Sequence, residues 1–401
     1  MTAIAGLRGT GDWATDERPK NFREMILWRN PNGMTPLTGL LSKMGSESVN
    51  DPEFSWWEEE LRPVKLQVNG VMNTTTTTVV VVDAESATQS GALNLVPGDL
   101  LLVHTSDAST AEIVRVNGVA SDTTFDVIRA QAGTSAAAIP DNTWITKIGN
   151  VFSEGATSPN VTSRNPTKVT NYCQIFKTAY EITKTAMLTK TRTGDPLKNE
   201  RKRRMFDHAV AMEYAFMFGR PLETTGANGK PMRMTGGLRY FLTSNATVFA
   251  TTPTETTFLD AVTPLFDYSA GGSDERIMFC GNGFLTSLNK LAKAGMQVRV
   301  DEVVTVYGMK LQRWILPQGT LYLKTHPLMN GHGQRSDAIT YQYSAFILDP
   351  AGLKYRYMRD TKMEDDIQAN DADEKKGQWL SECGLEIHHQ RTMGYIGNFR
   401  Y

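Results

Sequence analysis

Cysteine is scarce. Cys173, Cys280 and Cys383 are the only three in 401 residues, and they stand far apart. An odd, scattered set without Cys-x-x-Cys spacing excludes a disulfide framework and a thiolate zinc site, and it fits a reducing compartment. Net charge is missing as well. The 42 Lys and Arg nearly cancel the 43 Asp and Glu, which argues against a protein that coats nucleic acid through a strongly basic surface and against an acidic disordered tail. Long apolar runs are lacking. Stretches such as residues 79–82 fall far short of the roughly 20 residues a membrane helix needs. The opening MTAIAGLRGTGDW has no basic region followed by an apolar one, so no secretory signal is expected.

Catalytic signatures are also wanting. There is no Gly-x-Ser-x-Gly and no HExxH. Glu364, Asp365, Asp366, Asp371, Asp373 and Glu374 form an acidic run beside Lys375 and Lys376. It lacks the spacing of an EF-hand loop and reads as a solvated loop. Gly226-Ala-Asn-Gly229-Lys230 has too few residues between its glycines for a phosphate loop, and Pro231 stands where Ser or Thr should. The six histidines are His104, His208, His326, His332, His388 and His389. His388 and His389 adjoin on an expected strand and so point to opposite faces. Surface or core-edge histidines are expected, with a metal-dependent hydrolase built on His326, His332 or His388 as the remote alternative. No cofactor and no metal are expected.

What is present is bulk and contact surface. The chain is long enough for a large core and for roughly two to four domains. Gly and Pro punctuate residues 1–62, yet Phe22, Met25, Ile26, Leu27, Trp28, Leu37, Leu40 and Leu41 are apolar. Such an arm must lay its apolar surface on its own body or on a neighbour. It ends in Phe54-Ser-Trp56-Trp57-Glu58-Glu59-Glu60-Leu61. Residues 68–150 then turn β-branched and mildly acidic, with Lys65, Arg115, Arg129 and Lys147 the only basic residues near eight acids. This reads as a small all-β module, with a hairpin at Asn117-Gly118. A polar stretch over residues 153–166 leads out of it.

The strongest helix expectation is Pro196–Phe218, with Asp195 as N-cap and Pro196 in the first turn. Met205, Ala209, Met212 and Phe216 recur at helical spacing, beside Phe206, Val210 and Met217. Lys198, Arg201, Lys202, Arg203 and Arg204 crowd its start, against the helix dipole. They are read either as a solvated basic face or as a docking patch for an acidic surface such as Glu58, Glu59 and Glu60 of another copy. A second helix is expected over residues 284–294. Strands are expected over residues 297–300, 303–307, 311–315, 321–324 and 383–388, and a hairpin around Asp349-Pro-Ala-Gly352. The order is α+β.

The layout resembles a known family. The Trp/Glu-rich end of the arm is followed by Gly98-Asp99-Leu-Leu, then Arg129-Ala-Gln-Ala-Gly133-Thr134, then Asn171-Tyr-Cys-Gln-Ile-Phe176. After these come Gly194, the basic-headed helix, Thr325-His-Pro-Leu328, Leu348-Asp349, Tyr355-Arg356-Tyr357 and Arg359-Asp360-Thr361. The chain is similar to tailed-bacteriophage major capsid proteins of the Hong Kong 97-type fold that carry a β domain in the extended loop. Where that family usually has Arg-Gly-Tyr-Gly-Gly-Thr, this chain has the alanine-containing turn at Arg129.

The resemblance implies an N-terminal arm over residues 1–62 and an extended loop over 63–180 with the inserted domain at 68–150. It implies a peripheral domain over 181–225 around the spine helix, an axial domain over 226–340, and C-terminal strands over 341–401 that return to the peripheral domain. It further implies self-assembly as hexamers and pentamers into an icosahedral head enclosing double-stranded DNA, in the host bacterial cytoplasm. Portal, decoration and scaffolding proteins are the implied partners. The scaffold is expected to be a separate protein, because no long charged helical segment precedes residue 20. Candidate interface residues are Trp56, Trp57, Glu58, Glu59, Glu60, Arg201, Arg203 and Arg204. A tail or decoration protein is the alternative.

Overall fold

Strand pairing explains why the chain divides. The computed structural model describes Ile26 and residues 35–61, 63–83, 90–105, 111–269, 273–293, 300–306, 309–333 and 340–401. Phe22, Met25, Leu27 and Trp28 of the arm, and most of the strand expected at residues 297–300, lie outside the described residues. The chain separates into two units, one of Trp57–Lys168 and one of Met1–Trp56 with Val169–Tyr401.

In the first unit buried residues alternate along each strand: Leu101 and Val103, Val114 and Val116, Phe125 and Val127. Period two marks a half-buried strand. Six strands result, Lys65–Gln67, Thr78–Val80, Asp99–Val103, Ile113–Ser121, Thr124–Gln131 and Trp144–Asn150. Their spatial order is first, sixth, third, fourth, fifth, second. The two ends of that order meet: Val68 bridges Val81, the Asn69 N–H donates to Val80 O at 2.8 Å, and the Val82 N–H donates to Gln67 O at 2.9 Å. The sheet closes into a small barrel, which removes its free edges.

The hairpin turn is not at Asn117-Gly118. The strand runs through both residues, and the register shift between Val116 and Gly118 absorbs the extra residue as a bulge. The turn falls at Asp122 and Thr123, where the Asp122 carbonyl and carboxylate accept from the Ala92 and Leu93 N–H groups.

Arg129 organises one end of this barrel. Its guanidinium donates to both Glu112 carboxylate oxygens (2.7 and 2.6 Å) and to the carbonyls of Asn73, Thr76 and Ala137. The Glu112 carboxylate also accepts from the Ala130 and Ala137 N–H groups. Ala130 and Ala132 hold φ +54° and Gly133 +77°, a left-handed backbone that alanine adopts only under strain. The Arg129–Glu112 pair, rather than glycine, keeps this turn in shape.

The second unit holds two large sheets. One orders the strands Ser46–Ser48, Leu353–Glu364, Glu374–Ile387 and Gln174–Thr183; its first pair is parallel and the others antiparallel. The other orders seven strands: Ala246–Val248, Gly394–Gly397, Ala345–Leu348, Glu275–Cys280, Thr320–Thr325, Met309–Ile315 and Val300–Val306. Ala345–Leu348 and Leu353–Glu364 were expected to form one hairpin. They lie instead in different sheets, because both edges of Ala345–Leu348 are taken by Glu275–Cys280 and Gly394–Gly397. Asp349 turns the chain between sheets by accepting from the Ala351 N–H at 3.1 Å.

The long helix runs Pro196–Phe218 as expected, with the Asp195 carboxylate accepting from the N–H groups of Leu197 and Lys198. Its buried face is His208, Met212, Glu213, Phe216 and Met217; Met205 is 56% exposed. The reason is polar packing at the N-terminal half. There Arg201 bonds the Tyr180 hydroxyl and the Asp365 carboxylate, and His208 bonds Thr178 and Ser381. The second helix spans Asn282–Lys293.

Burial alone would push the Glu112 carboxyl up, but the hydrogen bonds from Arg129, Ala130 and Ala137 bring it below its ordinary value of 4.5. Its contribution to stability is therefore fully present above pH 4.5 and lost as pH falls through the depressed value. Glu112→Gln is expected to cost about 2 kcal/mol at pH 7 and to flatten the acid limb of the stability curve. Thermal melts of the full chain between pH 3 and 7 test this, and an acid limb as steep in the variant as in the wild type would refute it.

Candidate assembly surfaces

The first described helix is Pro36–Met44, whose Leu37, Leu40 and Leu41 are buried. Pro36 suits the first turn, but Thr35 offers no side-chain cap. The cap comes from the long helix. Glu213 Oε1 accepts from the Leu37 N–H and Oε2 from the Thr38 N–H, each at 2.8 Å, and Oε2 also takes the Thr38 hydroxyl. His326 Nε2 lies 2.8 Å from Glu213 Oε1, and both side chains are fully buried. His326 Nδ1 is buried and has no hydrogen-bond partner among the described residues. Sequence reading missed this site. Its only trace is a glutamate one residue after Met212 on the helix's apolar side, together with a lone histidine far downstream.

After this helix, Ser46–Ser48 pairs in parallel with Tyr355, Arg356 and Tyr357. Arg356 bonds both Glu47 and Glu386, Glu386 also bonds His388, and Lys354 reaches Glu47 at 2.9 Å. Burial would raise Glu386, but His388 and Arg356 hold it below the usual carboxylate range.

The Trp/Glu segment splits between two tasks. Strand Glu53–Glu58 pairs with Thr167–Tyr172. Phe54 and Trp56 are buried with Cys173, and the Trp56 ring lies 6.0 Å from both Phe241 and His388. Trp57 is 65% exposed, Glu58 and Glu60 are half-buried and Glu59 is exposed. In the other candidate group, Arg201 is bound to Asp365 and Tyr180. Arg203 pairs with Glu200, and Arg204 with Glu200 and Asp207. The basic helix start is thus partly neutralised within its own chain. Residues 151–168 are exposed throughout, with Val161 at 93%.

No group of three or more His, Cys, Asp or Glu that could hold a metal occurs among the described residues. Cys173, Cys280 and Cys383 are buried free thiols. Burial pushes Cys173 and Cys383 up to about 12 and raises Cys280 too, so none is a ready thiolate. What the described residues offer is a class of site made of contact surface: exposed Trp57, residues 151–168 and the start of the long helix.

The comparisons define that class further. A family model described as SU10 major capsid protein matches residues 6–399. The chain belongs to that family and is a major capsid protein, a component of the virion. It is 27% identical over 376 residues to the major capsid protein of Pseudomonas phage PaMx41, covering 91% of this chain and 85% of that one. Similar solved structures include the capsid of Myoviridae phage XM1 (TM-score 0.44, 8% identity, 98% of this chain and 99% of that chain). Another is a structure from Mycobacterium phage Adephagia (TM-score 0.45, 8% identity, 98% of each chain).

Glu213→Ala would strand two helix N–H groups, the Thr38 hydroxyl and His326 in the interior. The expected cost is about 3 kcal/mol, with faster amide exchange across residues 37–41. Denaturant unfolding and hydrogen exchange check both; unchanged exchange at Leu37 and Thr38 would show that the carboxylate does not hold the helix.

Proposed function

We propose that this chain is the repeating subunit of an icosahedral phage head, assembled from its hexamers and pentamers around double-stranded DNA in the host bacterial cytoplasm. The family match along nearly the whole chain carries this reading. Residues 1–62 act as the arm, 63–180 as the extended loop with the barrel inserted, and 181–225 as the peripheral domain. Residues 226–340 form the axial domain, and 341–401 return to the peripheral domain. Exposed Trp57 with Glu58, Glu59 and Glu60 forms one face of a contact, and Arg201, Arg203 and Arg204 form the other. Trp56 supports its face from within. Rings close through such heterologous contacts, in which one patch meets a different patch on the next copy. Near-zero net charge limits repulsion between many copies. A separate scaffolding protein, a portal protein and a decoration protein are the further partners.

Arg203 and Arg204 lie on the exposed side of their helix, 52% and 42% accessible. Arg203→Glu with Arg204→Glu is expected to leave the protomer's stability within about 1 kcal/mol and to abolish closed shells. Negative-stain microscopy with sedimentation of the same sample tests this. Normal shells from the variant would remove this face from the contact.

A further inference from the structure

We infer that one face of the hairpin formed by Leu222–Thr225 and Pro231–Met234 is a contact surface between copies of this chain, an inference that rests on the self-assembly reading above. The hairpin makes a two-stranded sheet of its own. Its register sets Leu222 opposite Met234, Glu223 opposite Arg233, Thr224 opposite Met232 and Thr225 opposite Pro231. Cross-strand partners share a face and successive residues alternate. Leu222, Met234, Thr224 and Met232 therefore line one side. That side is uncovered: Leu222 is 50%, Met232 45% and Met234 38% exposed. The opposite side closes on itself through the Arg233–Glu223 ion pair at 3.0 Å.

The hairpin is built rigidly at both ends. At the tip, the Gly226 N–H donates to Lys230 O at 2.8 Å, the Gly229 N–H donates to Gly226 O at 2.9 Å, and Gly229 takes the φ of +72° that the turn requires. At the base, the buried Asn171 amide accepts from the Gly236 N–H at 2.6 Å and donates to the Gly236 and Leu385 carbonyls. The Thr235 N–H donates to Gln174 Oε1, and the Gly237 N–H to Gly219 O. Two strands alone are marginal in water. A hairpin fixed at base and tip that still presents leucine and two adaptable methionines is pre-organised for an apolar partner. A second copy is the occupant. In a shell every subunit is ringed by copies, and the charged residues of the two strands, Glu223 and Arg233, pair with each other on the opposite side, so the face itself presents no charge to attract phosphate.

Methionine oxidation by hydroxyl radicals reads the face in the wild-type chain. Met232 and Met234 should be about fivefold less oxidised in assembled particles than in free protomers. In parallel, Leu222→Asp with Met234→Asp should cut assembly about tenfold with an unchanged melt, whereas Thr225→Asp on the opposite face should assemble normally. Equal oxidation in both states, or normal assembly of the double variant, overturns the inference alone. Protection that appears only with added duplex DNA assigns the face to nucleic acid and also overturns it. A wild-type chain that forms no assembly overturns the self-assembly reading and this inference with it.

Discussion

The carboxylate of Glu213 joins three stretches of chain that are far apart in sequence: the start of the helix Pro36–Met44 at Leu37 and Thr38, the long helix, and His326 just beyond the strand Thr320–Thr325. Helix N-termini leave orphan N–H groups, and a buried helix end cannot hand them to water. Thr35 supplies no cap, so the long helix must. A buried charge is costly without partners; here two amides, a hydroxyl and an imidazole surround it. The gain is positional as much as energetic. The helix Pro36–Met44 is held at a fixed place against the long helix.

The same device holds two chain crossovers between the two large sheets, at Asp349 and Thr392. Arg276 is fully buried and donates to the carbonyls of Thr392, Leu265, Ser273, Tyr268 and Glu275, with Asp349 Oδ2 3.6 Å away. Asp349 also turns the chain from one sheet into the other. Irregular segments are thus gathered onto one cation through their carbonyls. Asn171 does the equivalent work beneath the hairpin. Each of these side chains lets loops and crossovers be buried, and buried irregular backbone is tolerated only when its polar groups are matched.

Local rules made much of this legible. Asp195, Pro196 and the apolar spacing specify the long helix to the residue, and period-two alternation marks the barrel strands. The expectations that failed did so where distant partners decide. Asn117-Gly118 is a strong hairpin signal, yet Asp122 is anchored on residues 92 and 93 and so takes the turn. Asp349-Pro-Ala-Gly352 is a good turn, but strand partners far away in sequence place its flanks in separate sheets. Trp56 and Trp57 look alike in sequence, and only the alternation of their strand sends one inward and the other out. Glu213 could not be singled out, because nothing local distinguishes a capping glutamate from a solvated one.

Charge pairing bears on how copies of this capsid protein can recognise one another. Arg201, Arg203, Arg204, Arg356, Arg359 and Lys376 each have an acidic partner within the chain. Exposed pairs of this kind contribute little energy and are screened by salt. Their effect is to moderate the charge that these side chains present to an approaching copy. Discrimination between a correct and an incorrect neighbour then draws also on shape and on apolar side chains held in fixed positions. Fixed positions are what the buried polar clamps provide. A glutamate that caps the helix Pro36–Met44, an arginine that gathers carbonyls and an asparagine that steadies a hairpin fix these segments as surfaces that can be matched repeatedly. Weak contacts made many times over, each rigid at its root, allow a misplaced copy to leave and a well-placed one to stay.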